Sequence, residues 1–411
     1  MKVAIIGAGI TGLVAGYRLL QAGHEVTIFE KEKELGGLLG SFKIEGKGLE
    51  KAYHHIFKTD KYIIELIEDL GLSSKLKWFN GSTAIYFGKK MWPFNGAIDL
   101  LHFKPLNIFD KVRLGLVKIY LEKEKKWQKF ENVLAYQWMK KWCGERAYEI
   151  IWEPLLKGKF ANRYQDISMA WLWARIHTRA NSSEKGGEKL GYLMGGFGQI
   201  IKELKKRIKK LGGEIKLNTK ITNYELRITN YDTVISSEAL LNVDYLGAIT
   251  AVFSSTQNLS KFYWHNITDP KSPFVAMIQH TNLVPSTQYQ EKQVYYLGTY
   301  LPQNHRYFKV DDKIIWQEFF DYLKKILPDF DKKQISEKNI FKFKYAQHIV
   351  DANYQHSIIN YQKTAGKIIN VNFANIYPED RGINFGVREG EKVAKKADVS
   401  SLQGLRGEFS F

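Results

Sequence analysis

Four of the five residues Lys2-Val3-Ala4-Ile5-Ile6 are apolar, and a glycine-rich turn follows them. A short apolar run bounded by turn residues predicts a buried strand. From about Thr11 to Ala22 apolar positions recur at helical spacing, which predicts a helix stopped by Gly23. "EVTIFEKE" then predicts a second strand with Glu30 at its end. Further along, Ile200, Ile201, Leu204, Ile208 and Leu211 share one helical face, with lysines on the other. The turn Gly195-Gly196-Phe197-Gly198 opens that helix and Gly212-Gly213 stops it, before the strand pattern "EIKLNTKI" at 214–221 and another, "YDTVISS", at 231–237. The stretches 103–130 and 132–160 read as largely helical. "YLGAITAVFSS", "FVAMIQHT" and "QVYYLGTYL" read as strands, and "KIIWQEFFDYLKKIL" as a helix. A last helix starts near Ile383 and ends in Lys395-Lys396, and the tail after Asp398 shows no periodicity and is expected to be loose.

The first turn reads Gly7-x-Gly9-x-x-Gly12. In such a turn the first glycine permits the tight bend, the second lets backbone approach a pyrophosphate, and the third lets helix pack on strand. The helix N-terminus that follows favours negative charge, and a carboxylate at the end of the second strand, here Glu30, suits ribose hydroxyls. Strand, helix, second strand and terminal acid together predict a dinucleotide site. Ala8 and Thr11 within the turn, and Lys31 after the acid, belong to the same candidate set.

Two further segments bear on which dinucleotide. "KEKELGGLLGSF" places Gly36-Gly37 and Leu38 directly after the acid. This resembles the extended fingerprint of FAD proteins, in which the added backbone turn helps hold the pyrophosphate. Near the other end, "NIYPEDRGINFGVREGEKVAKK" sets Asp380 before Gly382, Ile383 and Asn384 at the start of a helix. That arrangement resembles the second FAD contact of the same class. The resemblance gives the acid to the ribityl chain and the helix N-terminus to the flavin edge.

These end motifs, with "GYLMGGFGQIIKELKKRIKKLGGEIKLNTKI" between them, resemble the FAD-dependent amine-oxidase-type oxidoreductases. That superfamily includes protoporphyrinogen oxidases, phytoene desaturases and monoamine oxidases. The resemblance implies an α/β fold, in which a Rossmann-like FAD-binding domain of parallel sheet and helices is split by a mixed α+β substrate domain. It places the cofactor domain at 1–80, 188–238 and 343–411. A helical part of the substrate domain takes 81–187, and a sheet part takes 239–342. It also makes Ile221 an adenine contact. The doubled "ITNY" in 221–232 departs from the family's usual short hairpin. Separately, "AYHHIFKTD" (52–60) resembles the flavin-proximal segment of UDP-galactopyranose mutases, which makes His55 the candidate for contact with the flavin and for catalysis. No catalytic dyad stands out.

The function this implies is hydride transfer from a small organic substrate to flavin N5. Two alternatives stay open: a mutase-type isomerase using reduced flavin, and a flavoprotein without catalysis. The mutase reading needs a basic diphosphate pocket, for which Arg163, Arg175 and Arg306 are unassigned candidates. Trp171, Trp173 and Arg175 in "SMAWLWARI" and the polar run "QHTN" (279–282) suit either pocket lining or core.

Composition narrows the field further. The formal charge of +18 suits a solvated basic surface, an anionic substrate or peripheral contact with an anionic membrane. No nucleic-acid module is recognisable, so nucleic acid is not expected as a partner. A lone cysteine, Cys143, excludes an internal disulfide and a dithiol redox pair, and it fits a cytoplasmic location. No apolar run is long enough to span a bilayer. The broken apolar run at the start reads as mature structure and not as a signal peptide. The histidines lack metal-ligand spacing, so no metal is expected.

Overall fold

The computed structural model describes residues 1–181, 183–184, 187–221, 231–240, 243–354 and 368–407. The first unit forms as the pattern predicts: strand Lys2–Ile6, helix Ile10–Gln21, strand Glu25–Phe29. The helix buries Leu13, Val14, Tyr17 and Leu20 in the same core as Val3, Ile5 and Ile28 of the strands. Because both faces of these strands are covered, their apolar runs are nearly continuous. Three more strands complete a five-stranded parallel sheet. Its order is Glu214–Lys216, Glu25–Phe29, Lys2–Ile6, Thr233–Ser236, Ile368–Asn370. The chain therefore enters this sheet from three separated stretches. The helix Ile383–Gly407 packs along Ile10–Gln21.

A seven-stranded sheet faces this unit. Its order is Ile335–His348, Tyr245–Ser255, Gln293–Pro302, Ala276–Gln279, Trp264–Ile267, Thr83–Phe87, Lys90–Pro93. Alternation decides its two faces. Ala251, Phe253, Tyr295 and Leu297 pack under the helix Asp312–Ile326, while Val252, Val294 and Tyr296 turn to the core shared with the parallel sheet. The helices Ile108–Lys123, Ala135–Cys143, Glu153–Phe160 and Met169–Asn181 gather around Phe103, Phe160 and Trp171. Ile56–Phe57, Gly187–Leu193 and Leu76–Asn80 form a small antiparallel sheet beside them.

Four expectations need correction. Thr83–Phe87 and Lys90–Pro93, expected in a helical piece, join the large sheet, because Thr83–Phe87 pairs in parallel with the distant Trp264–Ile267. Position 343, expected to open the third piece of the cofactor domain, lies inside the strand Ile335–His348, which the partner Tyr245–Ser255 holds extended along most of its length. The stretch after Asp398 is helical to Gly407, where a loose tail is expected. Its helix is already nucleated on Ile10–Gln21, and His24 Nε2 meets Asp398 Oδ1 at 2.9 Å, so further turns add at little cost. In 214–221 only Glu214–Lys216 is strand. The repeated "ITNY" falls mostly at 222–230, outside the described residues.

Candidate cofactor and substrate site

The glycine turn sits at the C-terminal end of strand Lys2–Ile6, where open α/β sheets bind their ligands. Gly7 takes φ +96°, and its N–H donates to Phe29 O at 2.7 Å. The start of helix Ile10–Gln21 carries no side-chain cap, and no acid lies in its first turn. Open space lies above Gly9, where an added Cβ meets no atom within 4 Å. Uncapped donors beside an open, glycine-floored space fit a pyrophosphate. Gly36 and Gly37, at φ +108° and +55°, fold against this turn, and Gly36 N donates to Ala8 O at 2.9 Å. Leu38, half-buried, lies in the short helical turn that follows.

Glu30 is buried at the end of its strand. Its Oε2 accepts from Ala8 N at 2.7 Å and its Oε1 from Glu32 N at 3.0 Å. The carboxylate thus locks the glycine turn to the strand exit, and each oxygen keeps lone-pair capacity for a ribose hydroxyl. Lys31 beside it is exposed, and Ile221 packs half-buried near Phe29 and Tyr231. Two other members of the predicted set spend their side chains elsewhere. Thr11 Oγ1 donates to Gly386 O at 3.0 Å, tying the first helix to the last. Asn384 Oδ1 accepts from Tyr62 N at 2.9 Å and Ile63 N at 3.2 Å, so it closes the N-terminus of helix Lys61–Asp69. Each is drawn off by a neighbouring helix remote in sequence. Gly382 is exposed at the start of the last helix, and its carbonyl accepts from Gly386 N, with Ile383 buried beside it.

Asp380, expected at the ribityl chain, gathers a cluster of cationic and polar side chains. Its Oδ2 accepts from Lys159 Nζ at 2.9 Å and from Arg175 Nη1, and its Oδ1 accepts from Trp171 Nε1 at 3.3 Å. The next residue, Arg381, donates to Tyr300 OH at 2.7 Å and to Gln347 Oε1 at 3.1 Å. Helices Glu153–Phe160 and Met169–Asn181, strands Gln293–Pro302 and Ile335–His348 and the lead-in to the last helix supply these groups. Burial opposes the charge on Asp380, yet Lys159, Arg175 and Arg381 outweigh it and hold the carboxyl far below the usual range. Burial lowers the Lys159 ammonium in spite of Asp380. It would raise the Tyr300 phenol, but the Arg381 and Lys159 charges bring that group below the ordinary tyrosine value. Tyr53 bonds to Tyr300, and burial raises its own phenol well above that value. The side chains of Lys159, Asp380 and Arg175 nevertheless keep 12%, 16% and 24% exposure, so the cluster is not sealed from solvent.

The sequence gives little notice of Lys159, Tyr300 and Tyr53. Arg381 lies within the quoted C-terminal motif, which is the one signal available for it. His55 Nδ1 lies 3.0 Å from Tyr263 OH, and its ring stands edge-on to Phe57 and Trp264. Burial pushes it down to about 3, so the imidazole is neutral, and the same cause takes His54 to about 4. Trp173 donates to Glu124 O, and Gln279 bonds to Asn258, Asn282 and Gln293, so both serve packing. Arg163 pairs with Asp166 and Asp244, and Arg306 with Glu318. Of the three arginines, Arg175 is the one in the cluster. No group of three or more metal-ligating side chains occurs among the described residues.

The model of the flavin containing amine oxidoreductase family matches residues 10–246. The 15-cis-phytoene desaturase of Glycine max is 25% identical over 280 residues, covering 64% of this chain and 48% of that protein. The chain thus spans about half the length of the curated relatives it matches. Among solved structures, a putrescine oxidase variant superposes with a TM-score of 0.73 at 14% identity, covering 97% of this chain and 99% of that one. Reduced UDP-galactopyranose mutase superposes at 0.71 and 14%, covering 96% of each chain. At such identity these likenesses speak for the fold. The chain belongs to the flavin containing amine oxidoreductase family, and its cofactor is FAD.

Proposed function

We propose that the chain is an FAD-dependent oxidoreductase whose small-molecule substrate carries an anionic group. The observation that carries the substrate class is the charge balance of this inner cluster. Lys159, Arg175 and Arg381 converge there on a single carboxylate, Asp380. Surplus buried positive charge is costly unless an anion completes it.

Residues Gly7–Gly12 and Gly36–Leu38 would receive the pyrophosphate, Glu30 the ribose, and the Gly382–Ile383 turn the flavin end. FAD, once bound, supplies the acceptor for a hydride from a substrate C–H bond. The chain's part is to bind and orient. Arg381 and Lys159 hold the anionic group, and Asp380 fixes Lys159 and Arg175 in register. Tyr300, bonded to Arg381 and Tyr53, can give or take a proton at its phenol oxygen. His55, whose Nδ1 meets Tyr263 OH and whose basicity burial lowers, would hold that wall of the site.

The test is anaerobic bleaching of bound FAD by matched donors with and without a carboxylate or phosphate. Bleaching by the anionic donors supports the reading, and equal bleaching by neutral analogues overturns the substrate class. Turnover of a UDP-sugar by the reduced protein, without net oxidation, would replace the oxidoreductase reading with the mutase one.

A further inference from the structure

The helix Ile108–Lys123 is apolar on two opposite sides. Its inward stripe, Leu114, Val117 and Leu121, is buried in the helical core. The outward stripe, Phe109, Val112, Leu116 and Ile119, repeats at helical spacing and is exposed, Phe109 to 77% and Leu116 to 63%. A helix needs one apolar face to join a core, and the second face has no such purpose. The patch continues onto the adjoining helix Ala97–His102, where Ile98 and Leu101 are exposed as well. Trp142 stands exposed at its margin, its carbonyl bound by Arg113 Nε at 3.1 Å. Scattered exposed apolar residues are ordinary, whereas a contiguous patch over two helices marks an interaction surface.

Charge indicates what covers it. Between 97 and 129 there are eight Lys and Arg against four Asp and Glu, and one of those acids, Asp110, is buried. Lys104, Lys123, Lys125 and Lys126 are exposed at the ends of the two helices. A symmetric pairing of two copies through this face would set these lysines against one another. An anionic lipid surface instead takes the apolar stripe into its acyl boundary and the lysines at its headgroups. No helix among the described residues is long and apolar enough to cross a membrane, which leaves a helix lying in the interface.

We infer that the outward face of Ile108–Lys123, with Ile98 and Leu101, seats the protein on an anionic membrane surface. The inference stands independently of the flavin reading. The seated helix packs on Met169–Asn181, which carries Arg175 to Asp380, so one helix separates the lipid surface from the inner cluster.

The test is co-sedimentation of the full chain with vesicles of phosphatidylcholine alone, or of phosphatidylcholine mixed with phosphatidylglycerol. Binding to the mixed vesicles should be at least about tenfold stronger and should weaken with salt. The double variant Phe109→Glu, Leu116→Glu should lose about tenfold or more of that binding with its melting temperature kept, since both side chains are exposed. Ile98→Glu, on the other helix, gives a second reading should the double variant fold poorly. Absence of binding to mixed vesicles, or binding that survives these substitutions, overturns the inference. So does a lipid-independent dimer, seen in sedimentation velocity, that the same variants dissociate.

Discussion

Gly9 and Gly12 lie in one turn and meet opposite surroundings, so substitution at the two separates cofactor binding from folding. A Cβ added to Gly9 meets nothing within 4 Å, and the backbone there, φ −71° and ψ 177°, admits any residue. A Cβ added to Gly12 stands 2.1 Å from the carbonyl oxygen of Gly7. Overpacking costs about 1–3 kcal/mol when neighbouring side chains can yield. Here the obstacle is backbone, which places Gly12→Ala at about 3 kcal/mol or more. Gly9→Val gives up only a favourable N-cap residue, about 1 kcal/mol or less. Its branched side chain, however, fills the space assigned to the pyrophosphate. The assay pairs denaturant unfolding of the flavin-free protein with the FAD released per chain on denaturation. Gly9→Val should unfold near the wild-type midpoint and carry almost no FAD, whereas Gly12→Ala should lose both. Normal FAD content in Gly9→Val would refute the placing of the cofactor, and a wild-type midpoint for Gly12→Ala would refute the packing argument.

Other perturbations test other parts. Arg381→Met removes the guanidinium that donates to Tyr300, so phenolate absorbance should appear at higher pH, and KM for an anionic substrate should rise by about tenfold with a smaller change in kcat. Asn384→Ala leaves the N–H groups of Tyr62 and Ile63 without their acceptor, and should cost about 1 kcal/mol in unfolding while FAD content stays unchanged. Glu50 is fully buried, accepting from Phe197 N and from Tyr192 OH at 3.0 Å, and burial pushes its carboxyl up to about 7 despite those bonds. Its folded value exceeds its unfolded one, so its favourable contribution is complete below the unfolded value and is lost as pH rises through about 7. Stability should therefore fall by roughly 3 kcal/mol across that window, and Glu50→Gln should flatten the decline measured by denaturant midpoints.

The fold is legible where the pattern is local. The strand–turn–helix–strand opening, the turn at Gly195-Gly196 and the long strands 245–255 and 293–302 each declare themselves within a few residues, because period and glycine placement are local constraints. The strands at 83–93 do not, since their ladder is set by Trp264–Ile267, and no local pattern names a partner so far away. The site divides in the same way. The glycine turns and Glu30 can be read from one short segment. The inner cluster cannot, because 221 residues separate Lys159 from Asp380, and a lysine bound for a buried ion pair looks in sequence like a surface one. Thr11 and Asn384 show the reverse of this. They stand in the right motifs, but helices they cannot see in sequence claim their side chains.

As proposed, this chain holds FAD across the two glycine turns and the start of the last helix. An absorption spectrum of the purified protein, with the supernatant identified after denaturation, tests it most directly. A flavin spectrum and release of about one FAD per chain are expected, matching the open space above Gly9. A colourless protein that also takes up no added FAD would contradict it.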